Sequence, residues 1–275
     1  MRELIPIRFD GYMHSGGSTK PWRVVAITKG ANILEEVVYV VKLFTVNNIN
    51  QAPSIAKEFI CNALATEFDL SVPDVGLINL HNESFFETLS NSEREHLQNR
   101  HHGFTFASQL LDAVIVTEEL HSNTIHIADI ATLFAFDCLI LNTDRGGYRN
   151  KPNLLQDDDG FILIDHELSL SFIDNDSDQA FMHIVNLLKQ NRWHGLYAKH
   201  LFYPRLKSYK GSKKNLFDTF EEFLLNLNIR KIETLIAELK ENDIAVGAPD
   251  YLIEYLRILK QQASRFKNIL LGIIA

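Results

Sequence analysis

Three segments near the start of the chain, "LIPIRF", "WRVVAIT" and "VVYVVKLF", are dense in β-branched and aromatic residues and are separated by clusters of Gly, Asn and Asp. That pattern predicts strands joined by turns, here a small antiparallel sheet. In "APSIAKEFICNALATEFDL", Ile55, Phe59, Ala63 and Leu64 recur at helical spacing, with Pro53 and Ser54 near the start, so one helix is expected before the extended "VPDVGLINL". Residues 81–103 are polar and without sustained period, and are expected to be an excursion, partly helical or mobile.

Beyond residue 126 the period changes. "IADIATLFAFDCLIL" has the length and continuous apolarity of a buried helix, and a polar loop then leads to two short strands, "NLLQ" and "FILID", separated by "DDDG". The segments "DQAFMHIVNLLK", "LFDTFEEFLLNLNIRKIETLIAELKEN" and "PDYLIEYLRILKQQASRFKNILLG" are amphipathic and predict a helical bundle. Sheet first and helices afterwards imply an α+β chain with two lobes, divided into residues 1–110 and 111–275.

Composition narrows the function. Acids outnumber bases by 35 to 27, a net charge of -8, which argues against a partner held mainly through phosphate-backbone attraction and makes direct nucleic-acid binding an unfavoured reading. Cys61 and Cys138 each lie in apolar surroundings and read as reduced core residues. With Asp137 interrupting the longest hydrophobic segment and no basic leader before an apolar stretch, neither a membrane span nor a signal peptide is expected, and a cytoplasmic setting fits.

Lys42 stands in "YVVKLF" between apolar neighbours, where an ammonium must reach solvent or meet an anion. Glu58 on the following helix is placed to pair with it and leave it aimed at phosphate oxygens. "HSGGSTKPW", between the first two strands, offers Gly16 and Gly17 for close backbone approach to an anion, with the hydroxyls of Ser18 and Thr19 alongside. It is not a nucleoside-triphosphate P-loop, because Gly17 stands where that motif needs Lys. In "NTDRGGYRNKPNLL", Asp144 is placed to take a proton from a hydroxyl, while Asn150 or Asn153 can offer an amide oxygen to a divalent cation. Asp165 ends the apolar strand "FILID" and needs a cation or donors to satisfy it. A lysine for phosphates, oxygen ligands for a metal and a carboxylate for the acceptor hydroxyl are the parts of a phosphoryl-transfer site.

"FDCLILNTDRGGYRNKPNLL" followed by "FILIDHELSL" resembles the catalytic core of the HipA-like kinases, in which an N-x-D-R segment, an Asn before an apolar strand and an I-D-H element occur in this order. "GGSTKPW", "YVVKLF" and "AKEFICNALATEFDLSVPDVGLI" resemble the nucleotide-binding lobe of the compact branch of that family, and together the likeness spans residues 12–80 and 104–172. The resemblance implies a two-lobed protein-kinase-like fold, with a small antiparallel-sheet lobe and a mostly helical lobe, that binds ATP and magnesium and phosphorylates serine or threonine in a protein. By position, Gly16, Gly17, Ser18, Thr19 and Lys42 would hold nucleotide, Glu58 would pair with Lys42, Asp144 would be the base, and Asp165 with Asn153 or Asn150 would bind magnesium, Asn153 being preferred. It also implies a toxin or regulatory kinase with a regulatory or antitoxin partner protein.

The chain departs from the family pattern at Gly146, where many relatives have His, at Glu167, where Gly is common, and in a slightly longer loop after Asp144. These departures keep a kinase-shaped binding module, a pseudokinase, as an alternative, beside a small-molecule kinase that would use the same base and metal logic. Other motifs carry less. His96, His101 and His102 lack the spacing of a helix-borne zinc pair, "QDDDG" and "NDSDQ" lack the closing Glu of a calcium loop, and "SYKGSKKN" reads as a solvated basic linker.

Overall fold

The computed structural model describes residues 1–13, 20–33, 35–116, 126–146, 151–175 and 178–275. The chain divides into two compact units, one made of residues 1–59, 73–112 and 235–246, the other of 60–72, 113–234 and 247–275. The division is interleaved along the sequence. Helix α2 (Ser54–Glu67) contributes residues to both units, as does helix α9 (Ile229–Glu241).

The first unit is built on strands β1 (Glu3–Tyr12), β2 (Trp22–Thr28), β3 (Val37–Val41), β4 (Val75–Ile78) and β5 (Thr105–Gln109). The first three are the strands expected from composition. Their alternation is visible in β3, where Tyr39 and Val41 are buried and their neighbours are less so. The expected small antiparallel sheet is corrected in one respect: the strands close into a barrel in the order β1-β2-β3-β5-β4. Closure comes from a short parallel pairing in which Glu3 lies opposite Leu77 and Leu4 opposite Ile78. It needs Gly76, because a Cβ there would stand 2.8 Å from Cγ of Leu4. Strand β5, "TFASQ", pairs with both β3 and β4 and was not expected from its modest β-propensity.

Residues 81–103 contain two short helices, α3 (Glu83–Thr88) and α4 (Asn91–Gln98). Asn82 caps the first, and Ser90 with Glu93 forms a reciprocal capping box on the second, so polar residues start both helices while Phe85, Leu89 and Leu97 join the barrel core. A further short helix, α1 (Val46–Gln51), follows β3.

The second unit is mostly helical. Helix α5 (Ile127–Leu139) is buried from Ile130 to Leu139, as its unbroken apolarity requires. Strands β6 (Val114–Ile115), β7 (Leu154–Gln156) and β8 (Phe161–Leu163) form a three-stranded antiparallel ribbon. Its β7-β8 turn is the "DDDG" expected, closed by Asp157 Oδ1, which accepts from the N–H groups of Asp159 and Gly160 at 2.9 and 3.0 Å. Helices α6 (Asp178–Lys189), α7 (Tyr203–Ser208), α8 (Asp218–Asn226), α10 (Pro249–Gln261) and α11 (Ala263–Ile274) complete the unit with the first part of α9. Two long amphipathic segments are each divided, at residues 227–228 and at Gln262, which leaves helical geometry with φ -113° and ψ 28°. Phe68 packs on Phe136 of α5 and stacks on Phe220 of α8, centroid distances 5.6 and 5.0 Å. Cys61 and Cys138 are buried, and no helix among the described residues is long and apolar enough to cross a membrane.

Candidate active site

In the barrel unit, Lys42 directly follows β3 between the buried Val41 and Leu43. Its backbone is pinned to β5, the Lys42 N–H donating to the Phe106 carbonyl at 3.2 Å and the Thr105 hydroxyl donating to the Lys42 carbonyl at 3.0 Å. The side chain reaches α2 and forms an ion pair with Glu58. The Glu58 side chain is 1% exposed and that of Lys42 12%. A carboxylate so deeply buried needs a cation, and the lysine supplies it while its ammonium keeps some access to solvent. Gly16, Gly17, Ser18 and Thr19 lie outside the described residues, as does Asn150.

In the helical unit, the chain leaves α5 through Leu141, which has a left-handed φ of 53°, and folds back on the helix it has left. Asn142 makes this turn. Its N–H donates to the Asp137 carbonyl and its side-chain amide to Asp137 Oδ1, both at 2.9 Å, while its Oδ1 accepts from the Asp144 N–H at 3.0 Å. Asp144 is thereby held at 6% exposure. Asn153 Nδ2 donates to Asp144 Oδ2 at 3.1 Å. Because an ionised carboxylate only accepts, the amide nitrogen must face Asp144, and Asn153 Oδ1 is turned the other way as an available oxygen.

Arg145, 1% exposed, fixes this loop from below. Its Nε donates to Asp137 Oδ2 at 2.6 Å, its Nη1 donates to the Asn153 carbonyl, and its Nη2 meets His166 Nε2 at 3.4 Å. One guanidinium therefore ties the end of α5, the start of β7 and the residue after Asp165 together. His200 adds to Asp137: the Phe202 N–H donates to His200 Nδ1 at 3.1 Å, so the ring proton sits on Nε2 and is donated to Asp137 Oδ2 at 2.9 Å. Burial alone would raise the Asp137 carboxyl, but the charge of Arg145 and the bond from His200 outweigh it and hold the group well below the usual carboxylate range. Burial, together with the same carboxylate, pushes the Cys138 thiol up.

Asp137 and His200 are absent from the residues that sequence motifs single out, and Arg145 entered only as part of N-x-D-R. A signal for Asp137 existed: a lone carboxylate in a fully apolar helix requires partners. His200, distant in sequence, had none.

Gly146 continues the loop with φ 77°, and a Cβ there would lie 2.9 Å from Cβ of Leu201 and 3.0 Å from its Cα. The Leu201 N–H donates to the Arg145 carbonyl at 3.0 Å, so the chain after His200 occupies the space that a side chain at 146 would need. This explains physically why the position carries glycine. Asn153 and Asp165, with φ of 45° and 63°, flank the open end of the β7-β8 ribbon, where the Ile164 N–H donates to the Asn153 carbonyl at 3.3 Å. Asn and Asp tolerate this backbone region better than most residues.

His81, His96 and His102 have other partners. His102 stacks on His81 at 3.9 Å and His96 Nε2 meets Arg100 at 3.2 Å, and among the described residues no His-rich group converges on a metal position.

A family model described as HipA-like kinase matches residues 17–223. No curated protein matches the sequence significantly. Among solved structures, the crystal structure of a Helicobacter pylori proinflammatory kinase, CtkA, is similar at a TM-score of 0.50 and 12% identity, the match covering 96% of this chain and 94% of that one.

Proposed function

The chain belongs to the HipA-like kinase family and is a kinase-type phosphotransferase; from that premise we propose that it transfers the γ-phosphoryl group of ATP, with magnesium, to a serine or threonine hydroxyl of a protein. The observation that carries this reading is the buried Asp144, held between Asn142 and Asn153 on the platform made by Arg145 and Asp137. A carboxylate placed this way accepts the proton of the acceptor hydroxyl as its oxygen bonds to the γ-phosphorus. The bond from phosphorus to the bridging oxygen breaks and ADP leaves.

The donor set fits a hard divalent cation. Asn153 turns its Oδ1 away from Asp144, and Asp165 supplies a carboxylate beyond the same ribbon end, both oxygen ligands of the kind magnesium takes. When bound, magnesium neutralises charge on the phosphates. Lys42, kept in its position by Glu58, binds phosphate oxygens, and Gly16 to Thr19 belong to the same nucleotide-binding set by position. In this reading residues 1–110 form the nucleotide lobe and 111–275 the catalytic lobe of a two-lobed protein-kinase-like fold; the likeness to CtkA over nearly the full chain supports a kinase-type fold.

The test is incubation of the purified protein with γ-labelled ATP, magnesium and a cell lysate, followed by identification of the phosphorylated residues. Labelled serine or threonine, lost on chelating magnesium, is the expected result. Label confined to small molecules, or none, would overturn the protein-kinase reading.

A further inference from the structure

The barrel unit carries an open hollow of 430 Å³ that the phosphotransfer residues do not use. Among the described residues, three basic side chains line it, Lys20, His96 and Arg100, together with the neutral donors Ser92 and Asn99 and a single acid, Glu95. Arg100 is oriented but not neutralised. Its Nη1 donates to the Leu43 carbonyl at 3.1 Å and its Nη2 to His96 Nε2 at 3.2 Å, and among the described residues no carboxylate forms an ion pair with Arg100 or Lys20. A guanidinium has five N–H donors, so three remain after these two bonds. Positive charge is thus concentrated here on a chain whose net charge is -8. Consistent with that, burial and the charges of Arg100 and Lys20 push His96 down.

A half-buried arginine fork without a carboxylate, with an ammonium, a hydroxyl and an amide around one hollow, matches the several oxygens of a phosphate group better than the two of a carboxylate. We infer that this hollow is a phosphoanion-binding site, centred on Arg100 and supplemented by Lys20 and His96. It is independent of the role given to Asp144. The anion is a free phosphoanion, distinct from the nucleotide phosphates assigned to Lys42.

Calorimetric titration of the full chain with inorganic pyrophosphate tests this, on the wild type, Lys20→Met, Glu95→Gln, Arg100→Ala and Asp144→Asn. Lys20 and Glu95 are exposed, so their variants should fold normally. Pyrophosphate is expected to bind the wild type and Asp144→Asn alike, about three-fold more weakly to Lys20→Met, and more tightly by a similar factor to Glu95→Gln, as expected for single charges near a solvated anion. Arg100→Ala is expected to lose at least about ten-fold. Repeating the titration with a saturating non-hydrolysable ATP analogue should leave pyrophosphate binding unchanged; displacement would assign the anion to the nucleotide's own phosphates and overturn a separate site. No binding to the wild type, or equal binding to all variants, overturns the site. Loss in Arg100→Ala alone, with Lys20→Met and Glu95→Gln unchanged, also overturns it, since that pattern reports disturbed packing at the Leu43 carbonyl.

Discussion

Arg145 donates from Nε to Asp137 at 2.6 Å, and the side chains of both are buried to 1% exposure or less. The pair is the platform on which Asp144, the next residue back in the chain, is set. Removing one member of a buried pair leaves an uncompensated charge, so Arg145→Leu is expected to cost about 3–5 kcal/mol, a fall of roughly 10 °C in Tm. The double variant Arg145→Leu/Asp137→Leu should recover part of that loss, because an apolar replacement of both partners is far less costly than an orphaned charge. Thermal unfolding of the two variants checks this.

The same pair predicts acid sensitivity. The folded Asp137 carboxyl lies below its unfolded value of 3.8, so its stabilisation is present in full above about pH 4 and is lost as pH falls towards the folded value. The groups facing it are Asn142, Arg145 and His200. Denaturant unfolding from pH 7 to pH 3 should show the wild type losing its advantage over Asp137→Asn below about pH 4. An advantage that stays constant to pH 3 would contradict the assignment.

Glu58 holds Lys42 in place, and its loss should be felt as misplacement. Glu58→Gln is expected to lower phosphotransfer by about 10²-fold, the cost typical of a reacting group displaced by about 1 Å. Nucleotide affinity and initial rates with labelled ATP measure it. Unchanged rates would show that the pair is structural only.

Asn153 faces Asp144 with its amide nitrogen and offers Oδ1 elsewhere. Asn153→Gly keeps the left-handed backbone without the oxygen, and should raise the magnesium concentration for half-maximal activity by about ten-fold or more. Asn153→Asp sets a second carboxylate against Asp144, so protonation becomes easier and the acidic limb of the rate profile moves to higher pH. Rate measurements against magnesium and pH distinguish the two effects.

Much of this site was legible before any coordinates. Lys42 stood in a strand that could bury it only with an anion, and Glu58 supplied one. Asp144 and Asp165 followed apolar segments whose ends had to be polar, and Asn153 stood directly before the strand "LLQ". What was hidden depended on long-range closure. The parallel pairing of Leu4 with Ile78 has no local signature, and β5 is too weakly β-forming to announce itself. Asp137 read only as an interruption of the longest hydrophobic segment, although its burial demanded partners that proved to be eight and 63 residues away, at Arg145 and His200. The reason for Gly146 was equally distant, in the backbone of Leu201.

The central claim is that Asp144 is the base of a phosphotransfer reaction, and Asp144→Asn tests it most directly. The substituted amide is close in size to the carboxylate and leaves in place the bond that the residue-144 backbone N–H donates to Asn142 Oδ1, but it cannot take a proton at neutral pH. Transfer from γ-labelled ATP to protein should fall by about 10²-fold or more, while nucleotide binding, followed in parallel, stays within about two-fold of wild type. Transfer at the wild-type rate in that variant would contradict the account.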